Sequence, residues 1–327
     1  MNMHAMLVDE NQALRWSEVP APVPKENEVL IEVHAAALNR ADLLQRAGKY
    51  PPPPGWPEWM GLEVAGIVLR APRGGRWRAG DKVCALLGGG GYAEKVAVPQ
   101  EMVLPVPRGF SFEEAAAIPE VFATAWLNLH YEAELKAGET IFIQAGASGL
   151  GTAAIQVAKL MGAKAVTSAG ADDKLEFVRK LGADDAVNRK TENPGILFDR
   201  NEINVALDCV GGSVLGENIG KMAIGGRWIL VSTLGGETAE IPLRPILKRA
   251  ITLKGSTLRS RTNEKKAQIL ADLERVLWPA FESGKIRPVI QKILPVQQAE
   301  EAHELLRAGQ RLGHIVQKPC AARVRRD

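Results

Sequence analysis

The residues best suited to chemistry lie in a glycine-rich turn near the middle of the chain. Gly146, Gly149 and Gly151 follow an apolar run at 141–143 and precede an alanine-rich stretch. Glycines at this spacing let backbone N–H groups approach a diphosphate, whose charge is favoured by the positive end of a helix dipole. The turn therefore predicts a dinucleotide-binding site formed by Ala145, Gly146, Ser148, Gly149, Leu150 and Gly151. The hydroxyl of Ser148 could contact cofactor or substrate there, although capping the following helix is an equally economical role.

The elements around this turn must hold it in place, and their order is that of a strand–helix–strand unit. A strand at 140–144 precedes the turn, a helix at 150–161 follows it, and a second strand covers 164–168. Further strands are predicted at 204–208, 227–232 and 251–256, alternating with helices at 173–181 and 213–222. This alternation predicts an α/β fold with a doubly wound parallel sheet of the Rossmann type.

The two ends of the chain differ from the middle in composition and in their predicted secondary structure. Residues before about 118 are rich in proline and glycine and contain short alternating runs at 28–34 and 61–68, which are typical of strands. After Gly255, long helices are predicted at Glu264–Glu282 and Ala299–Leu306, with strands at Val289–Leu294 and His314–Gln317. We expect this tail to rejoin the β-rich region. The predicted domains are then 1–118 plus 259–327, with 119–258 inserted and a cleft between them.

The end of the second predicted strand indicates which dinucleotide is bound. It reads Val166-Thr-Ser-Ala-Gly170 and lacks the carboxylate that would accept hydrogen bonds from the ribose 2′-OH of NAD. Asp172 and Asp173 lie beyond it and suit the cap of the next helix. Lys174 and Arg189 could both reach a 2′-phosphate, although each could instead be a solvated surface cation. The corner at Gly170 therefore favours NADPH over NADH.

Several segments resemble one known family over nearly the whole chain. Ala37–Pro54, Gly61–Gly66 and Ala145–Gly151 are similar to the zinc-free quinone oxidoreductases of the medium-chain dehydrogenase/reductase superfamily, and Asp208–Gly212 and Gly225–Trp228 match as well. The branch of the stress-induced quinone reductase is most similar, and zeta-crystallin is a more distant relative. The resemblance implies a GroES-like catalytic domain with an inserted Rossmann domain, NADPH as hydride donor and a homodimer.

The positions that carry zinc ligands in other members of this superfamily are occupied by non-ligands. Asn39 stands where a cysteine would be, Leu62 stands where a histidine would be, and no cysteine cluster follows Cys84. An amide and an alkyl chain cannot replace thiolate and imidazole as zinc ligands. We therefore expect no metal.

Quinone reduction needs no metal, because the quinone is already electrophilic and its developing oxyanion requires only a donor. The resemblance places Tyr50 at the family's substrate-site tyrosine, and its phenol is a neutral donor at pH 7. Asn39 offers amide donors, and Thr124 matches a position beside the nicotinamide ribose. Trp56 and Trp59 could wall the quinone pocket by stacking. Each of these side chains could instead serve packing or a local hydrogen bond.

Charge and cysteine content restrict the remaining classes of function. The formal charge of the chain is +3, and residues 318–327 alone carry a charge of +3. The rest of the chain is therefore neutral, and no nucleic-acid partner is expected. Three separated cysteines fit a reducing cytoplasm, and neither a basic leader nor a membrane span is evident. The sequence predicts NADPH:quinone oxidoreduction without flavin. The alternatives are an enoyl or enone reductase and a non-catalytic NADPH-binding, RNA-contacting protein.

Overall fold

The computed structural model describes residues 2–309 and 312–319, which form two compact units. One unit extends to Ala123 and resumes at Arg261, and the other covers Thr124–Ser260. The boundaries predicted from the sequence were 118/119 and 258/259. Cys320 and most of the basic tail, together with any property predicted from them, lie outside the described residues.

The strands of the described residues are, in chain order, β1 (Asn2–Val8), β2 (Leu14–Pro20), β3 (Glu28–Ala37), β4 (Glu63–Arg70), β5 (Lys82–Leu86), β6 (Lys95–Pro99), β7 (Val103–Pro105), β8 (Thr140–Ile143), β9 (Lys164–Ala169), β10 (Asp185–Asn188), β11 (Val205–Asp208), β12 (Arg227–Leu230), β13 (Thr252–Gly255), β14 (Ile290–Pro295) and β15 (His314–Lys318).

The α-helices are α1 (Arg40–Arg46), α2 (Phe112–Ala116), α3 (Pro119–Trp126), α4 (Gly149–Leu160), α5 (Asp172–Lys180), α6 (Ile196–Arg200), α7 (Gly212–Asn218), α8 (Leu243–Arg249), α9 (Asn263–Val276), α10 (Trp278–Glu282) and α11 (Ala299–Ala308). A π-helical turn at Leu127–Glu132 continues α3. None of the described helices is long and apolar enough to cross a membrane.

The unit formed by residues 124–260 is built on a six-stranded sheet in the order β10-β9-β8-β11-β12-β13. Every described pair of its strands is parallel. The strand order reverses between β8 and β11, which is where ligands bind in doubly wound sheets. One face packs Phe142, Val166 and Trp228 into a buried core. The predicted Rossmann-type parallel sheet is thus confirmed.

The other unit contains a seven-stranded sheet in the order β14-β15-β3-β4-β5-β7, with β6 also paired to β3, and a separate β1–β2 hairpin. The strand β15 runs antiparallel to β3, with Val316 opposite Ala37. The C-terminal strands therefore belong to the same sheet as the N-terminal ones. This is the β-rich, GroES-like architecture that the sequence predicted.

One helical prediction needs correction, and two short helices were not predicted. The single helix predicted at Glu264–Glu282 is two helices, because the chain breaks at Leu277 and Pro279 lies in the first turn of α10. Proline suits a helix start, where its missing N–H is not needed, and it disrupts a helix interior. The short helices α6 and α8 were not predicted. The seven residues of α8 are too few for a clear helical pattern, and Pro245 within them is more typical of a turn or a helix start.

Candidate functional site

The glycine-rich turn leads directly from β8 into α4. Ser148 is the N-cap of α4, and its Oγ accepts a hydrogen bond from the N–H of Gly151 at 3.0 Å. Ala145 has a φ of 56°, a left-handed conformation that is uncommon for a residue with a side chain. The structure therefore gives Ser148 the capping role. Its predicted contact with cofactor or substrate stays a prediction.

Close packing in the turn leaves no space for side chains at two of the glycines. A Cβ on Gly151 would lie 2.4 Å from the carbonyl oxygen of Ala145, and one on Gly146 would lie 2.2 Å from Oγ1 of Thr167. Gly149 and Leu150 open α4, where N–H groups have no acceptor within the helix. These features fit a pyrophosphate held by backbone N–H groups at a helix N-terminus.

At the end of β9, the guanidinium group of Arg189 covers Gly170. A Cβ on Gly170 would lie 3.3 Å from each of Cζ, Nη1 and Nη2 of Arg189, so the plane of the guanidinium faces the glycine. The backbone N–H of Arg189 donates to the carbonyl of Ala169 at 2.9 Å. Strand pairing thus positions Arg189 at the corner where the sequence predicts a 2′-phosphate.

The remaining charged residues near this corner have defined environments. Oδ1 of Asp172 accepts a hydrogen bond from the amide of Asn188 at 2.8 Å. Asp172 and Asp173 lie in the first turn of α5, at the positive end of the helix as predicted, but the N-cap itself is Ala171. Lys174 is buried, with only 8% of its surface exposed. Arg189 covers Gly170, and the predicted contact of Lys174 with a 2′-phosphate stays a prediction.

In the other unit, Asn39 is the N-cap of α1 and is nearly buried. Its backbone N–H donates to Oδ2 of Asp42 at 2.7 Å, and the hydroxyl of Tyr92 donates to the same oxygen at 2.9 Å. Its side-chain Nδ2 donates to Oε1 of Glu63 at 2.8 Å. Backbone and side chain of Asn39 are therefore both held by buried carboxyl groups.

Glu63 was not identified from the sequence, although it contacts the predicted site. It is fully buried at the start of β4, and its Oε2 accepts a hydrogen bond from the backbone N–H of Glu120 at 2.9 Å. Burial raises the pKa of Glu63 well above its usual value, while the donors at Glu120 and Asn39 act in the opposite direction. The available signal was a single carboxylate in the otherwise apolar run at 61–68.

Tyr50 is half-buried in the segment that follows α1, so Asn39 and Tyr50 flank the same short helix. The segment after Tyr50 packs on the four glycines at 88–91. A Cβ on Gly88 would lie 2.6 Å from Nε1 and 2.7 Å from both Cδ1 and Cδ2 of Trp56, so the indole lies face-on to the glycine. Nε1 of Trp59 donates to the carbonyl of Gly90 at 3.1 Å. The glycine run thus fixes both tryptophans.

Thr124 lies in α3, in the unit that carries the glycine-rich turn. Its carbonyl accepts a hydrogen bond from Nδ2 of Asn128 at 2.7 Å, and Asn128 is buried within the π-helical turn. π-Helical turns occur often at functional sites. The predicted contact of Thr124 with a nicotinamide ribose stays a prediction.

The positions expected to lack zinc ligands have local structural roles. Leu62 is buried, and its carbonyl accepts a hydrogen bond from the N–H of Leu87 at 2.7 Å. Asn39 is held by Glu63 as described above. Within residues 2–309 and 312–319, no group of three or more histidine, cysteine, aspartate or glutamate side chains is arranged to hold a metal ion.

Comparisons with known proteins agree with this architecture. The family model described as "Alcohol dehydrogenase GroES-like domain" matches residues 25–108, and that described as "Zinc-binding dehydrogenase" matches residues 149–274. A quinone oxidoreductase of Sus scrofa is 33% identical over 88% of this chain and 88% of its own length.

Solved structures show the same similarity. The quinone oxidoreductase of Thermus thermophilus, solved also with NADPH, is 32% identical with a TM-score of 0.81, covering 97% of this chain and 100% of that one. A mycobacterial protein solved with NADPH is 25% identical with a TM-score of 0.83, covering 97% and 100% of the two chains.

Proposed function

Because this chain belongs to the medium-chain dehydrogenase/reductase superfamily, among its quinone oxidoreductases, we propose that it reduces small quinones by direct hydride transfer from NADPH. At a coarser level, the chain is an NAD(P)-dependent oxidoreductase of this superfamily. The proposal adds three points: the acceptor is a quinone, the donor is NADPH, and neither metal nor flavin takes part.

The observation that carries the choice of acceptor is the pair Asn39 and Leu62. Alcohol oxidation in this superfamily uses zinc to stabilise an alkoxide, and neither side chain can bind zinc. A quinone needs only a hydride donor and hydrogen-bond donors for the oxygen that becomes negative. Asn39 and the phenol of Tyr50 are donors of this kind. The quinone oxidoreductases among the relatives support the same choice.

NADPH is supported by the corner at Gly170. Arg189 covers this glycine, and Asp172, the first carboxylate after β9, is hydrogen-bonded to Asn188. A guanidinium group recognises phosphate through paired N–H donors, whereas NADH has no phosphate at this position. Two of the related proteins were solved with NADPH.

The residues would act as follows in the reaction. Bound NADPH would supply the hydride. Backbone N–H groups at Gly149 and Leu150 would hold its pyrophosphate against the start of α4. Nδ2 of Asn39 and the hydroxyl of Tyr50 would donate hydrogen bonds to the acceptor oxygen as it gains charge. Tyr50 could also deliver a proton to that oxygen, with solvent restoring the proton afterwards.

The proposal is tested by steady-state rates with a panel of acceptors. We expect turnover of 1,4-benzoquinone with NADPH, slower turnover with NADH, and no dependence on zinc after dialysis against a chelator. Turnover of an enone but of no quinone would favour the enone reductase alternative. Tight NADPH binding without any turnover, together with salt-sensitive retention of RNA, would favour the non-catalytic alternative.

A further inference from the structure

The carboxyl group of Glu63 accepts two hydrogen bonds, which together restrict the side-chain conformations of Glu63 and Asn39. One oxygen accepts from Nδ2 of Asn39 at 2.8 Å, and the other accepts from the backbone N–H of Glu120 at 2.9 Å. Glu63 has no exposed surface, and Asn39 is 9% exposed. Neither Asn39 nor Glu63 can therefore easily change rotamer without leaving a buried donor or acceptor unsatisfied.

The hydrogen bond to Glu63 fixes the orientation of the Asn39 side-chain amide. Glu63 accepts at Oε1, so the amide presents its nitrogen to the carboxyl group and its oxygen elsewhere. An amide nitrogen carries two N–H groups in one plane. With one of them bound to Glu63, the direction of the second is fixed. The backbone of Asn39 is held as well, by Oδ2 of Asp42 at 2.7 Å.

The hydrogen bonds at Glu63 act against the effect of its burial. Burial is the largest influence and raises the pKa of Glu63 well above the usual value, and the nearby carboxyl groups of Glu120 and Asp42 raise it further, whereas the donors of Glu120 and Asn39 lower it. These two donors meet different oxygens of the carboxyl group, so together they hold it in one orientation.

This inference rests on the proposed quinone reduction. We infer that Glu63 is a positioning residue, which holds the Asn39 amide so that its second N–H is directed at the quinone oxygen that becomes negative. Glu63 itself does not contact the acceptor. Misplacing a hydrogen-bond donor by about 1 Å can cost on the order of 100-fold in rate, so the loss of this support is measurable.

The test compares Glu63→Met and Glu63→Gln with the unchanged protein. Methionine has a similar length but no strong acceptor, whereas glutamine retains one oxygen for Asn39. We expect Glu63→Met to lower kcat with 1,4-benzoquinone roughly 10- to 100-fold and to change KM and the Kd for NADPH less than about twofold. Glu63→Gln should restore part of kcat. In an Asn39→Ala background, Glu63→Met should cause no further loss.

A control variant separates positioning from stability. Glu139 forms an ion pair with Arg227 at 2.9 and 2.7 Å in the other unit, so Glu139→Gln should lower stability and leave kcat unchanged. Equal losses from Glu63→Met with and without Asn39, or an unchanged kcat in a folded variant, would overturn the inference. If the unchanged protein reduces no quinone, the proposed function fails instead.

A readout independent of activity covers the case in which Glu63→Met does not fold. The side-chain amide protons of Asn39 can be assigned in ¹⁵N spectra by their absence in Asn39→Ala. In Glu63→Gln, Nδ2 of Asn39 and the backbone N–H of Glu120 must compete for the one remaining side-chain oxygen. We therefore expect the Asn39 amide resonances to shift and kcat to fall below that of the unchanged protein. Unchanged resonances together with unchanged kcat would contradict the positioning role.

Discussion

The guanidinium plane of Arg189 lies over Gly170, with three of its atoms 3.3 Å from the position that a Cβ would occupy. A side chain at position 170 would force the guanidinium group of Arg189, which is otherwise exposed, to shift. The backbone of Arg189 is fixed by its hydrogen bond to Ala169. The arrangement is the structural feature from which we propose a preference for NADPH, and it can be tested.

We expect Arg189→Gln to weaken NADPH binding about 10- to 100-fold and to change NADH binding little, because only NADPH carries the phosphate that the guanidinium would bind. Binding can be measured by the fluorescence of the reduced nicotinamide. Arg200→Gln provides a control with the same change in charge at an exposed position of the same unit. Equal losses for both dinucleotides would rule out a role in phosphate recognition.

The sequence predicted the glycine-rich turn between β8 and α4, and the parallel sheet, because both depend on local rules. A glycine-rich turn between an apolar strand and a helix has few structural alternatives, and buried parallel strands form continuous apolar runs. Glu63 and Gly88 could not be found in this way. Their roles depend on partners distant in the chain, Asn39 and Glu120 for the carboxyl group and Trp56 for the glycine, and only tertiary structure brings these together.

The packing of Trp56 on Gly88 predicts a selective effect on acceptor turnover. In Gly88→Ala the new methyl group would lie 2.6 to 2.7 Å from three atoms of the indole, so Trp56 must move. If Trp56 walls the quinone pocket, which is one of the two roles that the sequence leaves open, kcat/KM for quinones should fall about tenfold or more while the Kd for NADPH stays unchanged.

The movement of Trp56 itself can be followed by tryptophan fluorescence, with Trp56→Phe identifying its contribution. Trp56→Phe retains an aromatic ring and should keep more activity than Gly88→Ala. A shifted emission spectrum with unchanged kcat/KM would mean that Trp56 serves packing only.

The edge strand β13 supports the proposed homodimer. All four of its residues are exposed, and β12 is the neighbour with which it pairs in the parallel sheet. The N–H of Thr252 bonds to the carbonyl of Gly226, so the N–H of the next residue, Leu253, points away from β12. An unpaired edge of this kind can pair with a second copy of the chain.

We therefore expect a dimer in sedimentation equilibrium and a monomer for Leu253→Pro, which removes one outward N–H and leaves the donors to β12 in place. Thr252→Pro removes an inward donor and should lower stability. A protein that sediments as a monomer before any substitution would contradict the dimer. A dimer that persists in Leu253→Pro would place its interface elsewhere.

The last prediction concerns His303 in α11, which is fully buried and has neither ring nitrogen hydrogen-bonded within the described residues. Its ring meets the edge of Tyr92 at a centroid distance of 6.0 Å. Burial is the main cause that lowers the pKa of His303 from 6.5 to about 4; the charges of Arg46 and Arg307 contribute to this lowering, and that of Glu300 opposes it. The folded protein therefore favours the neutral imidazole.

The unfolded chain binds a proton at His303 more tightly than the folded protein does. The contribution of His303 to the free energy of unfolding is therefore fully present above pH 6.5 and decreases as the pH falls toward about 4. The pKa difference corresponds to about 3 kcal/mol. Urea unfolding at a series of pH values should show this slope, and His303→Leu should reduce it, whereas His4→Gln, at an exposed position, should not. An unchanged slope in a folded His303→Leu variant would assign the acid sensitivity to other groups. One such group is the carboxylate of Glu300: burial raises its pKa, but the ion pair with Arg46 outweighs this and lowers it.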